Sequence, residues 1–166
     1  MKRLTILALG LACRGNGMGV DEPGRLQATL MPPHSDTLRF AVPATGRRCA
    51  GGHALLLEAA DQRGNGMLAL LRYGDSLRPG ALPLITLGDS LTPRGANVAV
   101  RYMKSDVAYG LALDSGAVEV TAAGDAISAR VRGSGLEGGS RVTVDAVYGG
   151  VPRPAVDDTV PCRYQP

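Results

Sequence analysis

A serine hydroxyl becomes a nucleophile only where a base can take its proton and a third group orients that base. Two serines in this 166-residue chain stand in blocks that raise the question. Ser90 lies in Leu84-Ile85-Thr86-Leu87-Gly88-Asp89-Ser90-Leu91-Thr92, and Ser76 lies in Gly74-Asp75-Ser76-Leu77-Arg78-Pro79. The two histidines, His34 and His53, precede both serines. His34 follows Pro32-Pro33 and reads as an exposed loop residue, whereas His53 opens a strand near Cys49 and reads as structural. Metal chemistry is as poorly provided for. Cys13, Cys49 and Cys162 show no Cys-x-x-Cys spacing, which disfavours zinc. Asp157-Asp158 lacks the spaced ligands of a calcium loop and reads as a solvated pair. Arg14-Gly15-Asn16-Gly17-Met18 recurs as Arg63-Gly64-Asn65-Gly66-Met67, but no Lys-Ser/Thr follows either copy. Both copies therefore read as turns, not as phosphate loops. Tyr73, Tyr102, Tyr109, Tyr148 and Tyr164, in a chain without tryptophan, read as core or edge packing. These residues predict no catalytic set, no metal and no cofactor.

The block around Ser90 resembles the nucleophile block of the GDSL (SGNH) esterases and lipases, in which a hydrophobic strand delivers a serine to a turn at the sheet edge. That resemblance implies Ser90 as nucleophile, a histidine base in a C-terminal Asp-x-x-His block and an oxyanion hole from a Gly-x-Asn-Asp block. The chain contains neither block, and the 76 residues after Ser90 are too few for the rest of that α/β fold. The copy at Gly74–Pro79 lies 14 residues earlier, and duplication suits a turn signature better than a unique nucleophile. Asp and Ser cap tight turns through their side chains, and a proline follows each copy. The turn reading is preferred, with a serine esterase as the least favoured alternative.

The start of the chain predicts an address. Met1-Lys2-Arg3 is a short positive segment, and Leu4–Ala12 is an apolar run ending in small residues. Secretory signals have an apolar region of roughly 7–15 residues, whereas a membrane-spanning helix needs about 20. With Cys13 directly after Ala12, the junction resembles the lipobox of bacterial lipoproteins, although Gly10 and Leu11 depart from its usual pattern. The resemblance implies a signal peptide over 1–12 and a lipidated Cys13, and Arg14 in place of Asp implies outer-membrane sorting. Acyl chains contribute about 0.8 kcal/mol per buried methylene, so a multiply acylated Cys13 holds a protein firmly on a membrane. A plain secretory signal is the first alternative, and a cytosolic start with an apolar first strand is the second. With Cys13 assigned to lipid, Cys49 and Cys162 remain as an even pair in an oxidising compartment, and we expect them to form a disulfide.

The elements that must position these residues are strands. Val98, Val100 and Tyr102 alternate with polar or small neighbours, as do Val118 and Val120, Ile127, Ala129 and Val131, and Val142, Val144 and Ala146. Leu38-Arg39-Phe40-Ala41-Val42 has the same rhythm. Each pattern describes a half-buried antiparallel strand. His53–Ala60 and Met67–Tyr73, joined through Asn65-Gly66, read as a hairpin. Asp114-Ser115-Gly116 and Gly133-Ser134-Gly135 read as turns between strands. The sum is an all-β protein, an antiparallel β-sandwich of about 8–10 strands, with a small β-barrel as the alternative. A flexible tether over 13–24 then leads to one domain over 25–166.

From about Tyr102 onward the strand order is similar to that of bacterial lipoproteins with a β-sandwich domain, a likeness that implies no particular activity. Hydrophobic residues make up 45% of the chain, enough for a core. Lys and Arg total 18 against 15 Asp and Glu, a formal charge of +3, which lacks the concentrated basic face of a nucleic-acid binder. The expected function is a lipid-anchored envelope protein, non-enzymatic, serving a structural or binding role with another envelope protein as partner. A carrier of small apolar ligands is the alternative.

Overall fold

The computed structural model describes residues 24–162, apart from residues 34, 87 and 90. The expected signal peptide, Cys13, the first Arg-Gly-Asn-Gly-Met copy, His34, Ser90 and Tyr164 therefore lie outside the described residues, as does all of the expected tether except Gly24. No helix occurs among the described residues. Ten strands run in chain order: β1 (Arg25–Met31), β2 (Leu38–Cys49), β3 (Ala54–Ala60), β4 (Gly66–Tyr73), β5 (Gly80–Pro83), β6 (Arg94–Lys104), β7 (Val107–Ala123), β8 (Ala126–Glu137), β9 (Ser140–Pro152) and β10 (Thr159–Val160). The alternating segments all lie in strands, and the Asn65-Gly66 hairpin joins β3 to β4 as expected.

Eight strands close into a ring. β1, β2, β3, β4, β6, β7, β8 and β9 follow one another, each antiparallel to the next, and β9 pairs back to β1 from Arg25↔Gly149 to Met31↔Thr143. The sandwich expectation is thus corrected to its alternative, a closed antiparallel barrel. The reason lies in two long strands. β2 gives its first half to β1 and its second half to β3, while β7 pairs β6 over Val107–Ala112 and β8 over Leu113–Ala123. A strand that passes from one sheet into the other joins their edges, and bulges are the usual device for that corner. Here β7 bulges between Leu113 and Ser115.

The residues expected to be turns sit at this corner, inside strands: Ser115 pairs with Ser134, and Gly116 with Gly133. Gly116 has φ +116°, and a Cβ there would meet the Arg132 carbonyl oxygen at 2.1 Å. Glycine was a correct sign of unusual backbone, but the backbone bends here instead of reversing.

Alternation puts one face of each ring strand inside. On β9, Val142, Val144, Ala146 and Tyr148 are buried, and on β8 so are Ile127, Ala129 and Val131. Arg130 and Asp145 lie on the outer face, joined by two hydrogen bonds of 3.0 and 2.7 Å. Apolar inside and charged outside is the reverse of the pattern of a lipid-facing barrel. An eight-stranded ring is just wide enough for side chains to fill it. Tyr148, wholly buried on β9, donates its hydroxyl hydrogen to the Met67 carbonyl at 2.9 Å on β4, diametrically across the ring. Leu26, Leu30, Leu57, Met67 and Leu71 fill the space around it as one core.

The two ends differ. At one, where β1 is followed by β2, residues 61–65, 105–106 and 138–139 make short reversals. At the other, the β4–β6 connection spans 74–93 and contains β5, which pairs β7 where β6 has left it. The C-terminal stretch also crosses this end and runs parallel to β2 as β10. Gly24 enters here as well, its N–H donating to Gly149 and Gly150.

Candidate functional site

The elaborated end of the barrel gathers most of the residues singled out in the sequence. Cys49, at the end of β2, is bonded to Cys162, with Cα atoms 5.2 Å apart and 113 residues between them in sequence. The bridge clasps the C-terminal stretch to the barrel. Beside it, the Ala50 N–H donates to Val160 and the Arg48 N–H to Asp158, at 2.9 and 3.1 Å.

Both Gly-Asp-Ser blocks lie in the β4–β6 connection. Asp89 accepts hydrogen bonds from the backbone N–H groups of Leu91 and Thr92 at 2.8 and 2.9 Å, and another from the Thr92 hydroxyl. Those bonds, the hydroxyl first, hold its carboxyl below the usual value. This is the side-chain-capped turn expected of the motif. Arg72 ties the turn to β4 by donating to the Asp89 carbonyl at 2.5 Å, and buried Asn97 donates to Ile85 and Thr86 from β6. In the earlier block, the Ser76 hydroxyl oxygen accepts from Arg78 Nε at 3.0 Å. His53 Nδ1 donates to the Gly74 carbonyl at 2.7 Å, so the histidine braces that block through its backbone. A nucleophile needs a base on its hydroxyl, and among the described residues the Ser76 hydroxyl meets Arg78 instead.

The remaining candidates fall into structural settings. The second Arg-Gly-Asn-Gly-Met copy is the β3–β4 turn, where Asp61 accepts from Asn65 and the Asn65 side chain reaches Met103 at the far end of the barrel. Tyr102 stacks on Tyr109 with ring centroids 5.4 Å apart and donates to Glu137 at 2.7 Å, also at that far end. Burial first, and Glu137 second, push the Tyr102 hydroxyl pKa up. Asp157 and Asp158 are exposed. No three His, Cys, Asp or Glu side chains converge at metal-binding distance among the described residues.

Clefts open between the turns of the elaborated end. One, of about 720 Å³, lies along the disulfide between His53, Leu70, Arg72 and Pro161. A smaller one of about 120 Å³ sits in the mouth of the barrel, with Leu55, Leu77 and Ile127 as its floor and Arg48, Tyr73, Asp75, Ser76 and Arg153 around it. Arg48 was not singled out in the sequence, although its phase marks it. On β2, Val42 and Ala44 point inward, two residues apart, and Arg48 falls in the same phase opposite buried Leu55. A charged residue therefore stands where the alternation asks for an apolar one. The chain matches no family model, no curated protein and no solved structure, so the geometry of this end alone carries the functional reading.

Proposed function

We propose that this chain is a lipid-anchored module of the cell envelope, tethered through Cys13, which binds another envelope component at the disulfide end of its barrel and carries out no catalysis. The observation that carries the reading is the contrast between a filled lumen and one elaborated end. Ligand-binding residues concentrate on long connections held by a rigid scaffold. Here the scaffold is the closed ring, and the connections are residues 74–93 and 153–162. The tether joins at the same end, because Gly24 hydrogen-bonds to Gly149 and Gly150 there. Cys13 precedes Gly24 by 11 residues, a reach of at most about 40 Å. An anchored Cys13 would keep the mouth near the membrane. An apolar-ligand carrier is the weaker reading, since Tyr148 and the surrounding leucines occupy the space its ligand would need.

Two measurements test this reading. The intact mass of protein recovered from bacterial membranes should correspond to a triacylated chain beginning at Cys13, with about 2 Da gained on reduction. A photo-crosslinker at exposed Arg94 should then capture an envelope component that the same group at Asp106, at the far end, does not. A soluble, unacylated chain would remove the anchor. Equal capture from both positions would remove the binding end.

A further inference from the structure

Arg48 is half-buried at an inward-facing position, and the one hydrogen bond of its guanidinium among the described residues runs from Nε to the Pro154 carbonyl at 3.4 Å. Neither Asp75 nor any other described carboxylate comes within ion-pair distance of it. A guanidinium carries five N–H donors in a fixed fork that matches the oxygens of an oxyanion, and taking it partly out of water with only one of them paired is unfavourable. The fork stands over a small cleft that Tyr73 and Ser76 also line. Arg153 lines it too, one nitrogen engaged with the Ala123 carbonyl at 2.7 Å. The adjoining clefts add Arg72, Arg78 and Arg94, against Asp75 as the one carboxylate among the residues lining all three.

We propose that the barrel mouth at Arg48 is a binding site for a phosphate group. The volume of about 120 Å³ admits the group itself, and whatever carries it must extend outward over Arg153 and Arg94. Charge-assisted, forked hydrogen bonds make arginine the usual partner of such groups. The site deepens the binding role proposed above. It rests on that reading only for the direction in which the mouth faces: an anchored chain turns Arg48 toward the membrane, where lipid headgroups present phosphate.

The test uses the full chain carrying Cys13→Ser, so that no acyl anchor contributes. Inorganic phosphate is titrated against it, and flotation is compared on phosphatidylcholine vesicles with and without phosphatidic acid. We expect saturable binding in at least one of the two assays. Arg48→Met should weaken it at least tenfold, Arg48→Lys should restore part of it, and Asp75→Asn should tighten it severalfold. Binding to phosphatidic acid vesicles alone identifies a headgroup, and binding to inorganic phosphate alone identifies a free ligand. Arg153→Ala, an exposed change, serves as the second variant if Arg48→Met fails to fold. The proposal is overturned if neither probe binds, or if folded Arg48→Met and Arg153→Ala both bind as the parent does. Because the chain tested has no anchor, that failure leaves the mass measurement to judge the anchor separately.

Discussion

Tyr148 offers the most direct test of a filled lumen. Its side chain is fully buried, and its hydroxyl donates across the ring to the Met67 carbonyl at 2.9 Å, with Leu57 further off at 3.5 Å. Tyr148→Phe keeps the ring and removes only that bond. A buried hydrogen bond contributes about 1 kcal/mol net. In a domain of this size that is a fall of about 3–5 °C in Tm. Tyr148→Ala also removes the ring, and truncating a buried aromatic costs about 3–5 kcal/mol, partly through the cavity left behind. Urea unfolding would measure both, with the slope checked for constancy so that a shifted midpoint reports stability. Titration with an apolar fluorescent dye completes the assay, since only Tyr148→Ala should acquire a saturable site. The reasoning fails if Tyr148→Phe lies within about 0.3 kcal/mol of the parent, or if Tyr148→Ala costs less than about 1 kcal/mol, because a truly buried strut cannot be that cheap. Stoichiometric dye uptake by the parent would count equally against it, and would revive the carrier reading.

Further predictions concern the clasp, the corner and the titrating groups. Reducing Cys49–Cys162, which closes a 113-residue separation, should cost up to about 4–5 kcal/mol on the chain-entropy model, and Cys162→Ser should reproduce most of that loss in urea unfolding. Gly116→Val should cost on the order of 3 kcal/mol from strain and collision with the Arg132 carbonyl, whereas Gly124→Ala, with open space around it, should be close to neutral by the same measurement. Hydrogen bonds from Asn65, Thr92 and Arg141 hold the carboxyls of Asp61, Asp89 and Asp114 below their usual value. A depressed folded-state pKa gives stability that is present above the unfolded value near 4 and lost as pH falls through the folded one, so the thermal midpoint should drop below about pH 4, and less steeply in Asp61→Asn/Asp89→Asn. Burial raises the hydroxyl pKa of Tyr102 and Tyr148, so stability is full below about pH 10 and lost above it, and their phenolate absorbance should appear only together with unfolding.

How far the fold was legible depended on whether its signal was local. The segments around Val98–Tyr102, Ile127–Val131 and Val142–Ala146 announce themselves by period two, and the Asn65-Gly66 turn by its residue types, because pleat and turn geometry act within a few residues. Closure was not legible. It depends on β1 meeting β9 across more than a hundred residues, for example Ala28 opposite Ala146, and no short-range pattern encodes that pairing. Sandwich and barrel alternate identically, and the difference sits in whether β7 stops at Asp114-Ser115-Gly116 or bends there. Glycine answers both demands, a positive φ for a turn and a close approach for a corner, so its presence marks the place without saying which geometry holds.

The candidate site divides in the same way. Cys49 and Cys162 could be paired once Cys13 was set aside for lipid, and Asp89 could be read as a cap from its neighbours, because both inferences use residue chemistry that context seldom overrides. Arg48 required knowing which face of β2 is inside. Its own sequence, Ala44-Thr45-Gly46-Arg47-Arg48-Cys49, offers two adjacent arginines, and only a phase carried over from Val42 and Ala44 chooses between them. The register settles the choice. Arg47 faces outward and pairs with Glu58 at 3.3 Å, while Arg48 faces the mouth and finds no carboxylate among the described residues. That asymmetry between neighbours of identical type argues for a site, because a surface arginine adjusts to whatever acid lies near it, whereas an inward one is held by the strand. Exchanging the two environments separates these cases. Arg47→Met should cost little, as exposed ion pairs contribute about 0–1 kcal/mol. Arg48→Met should leave stability unchanged or higher, since an apolar side chain suits the mouth better than an unpaired charge. A clear loss of stability in Arg48→Met would refute that reasoning and show that Arg48 also serves the fold, and the phosphate site would then be judged by binding to Arg153→Ala.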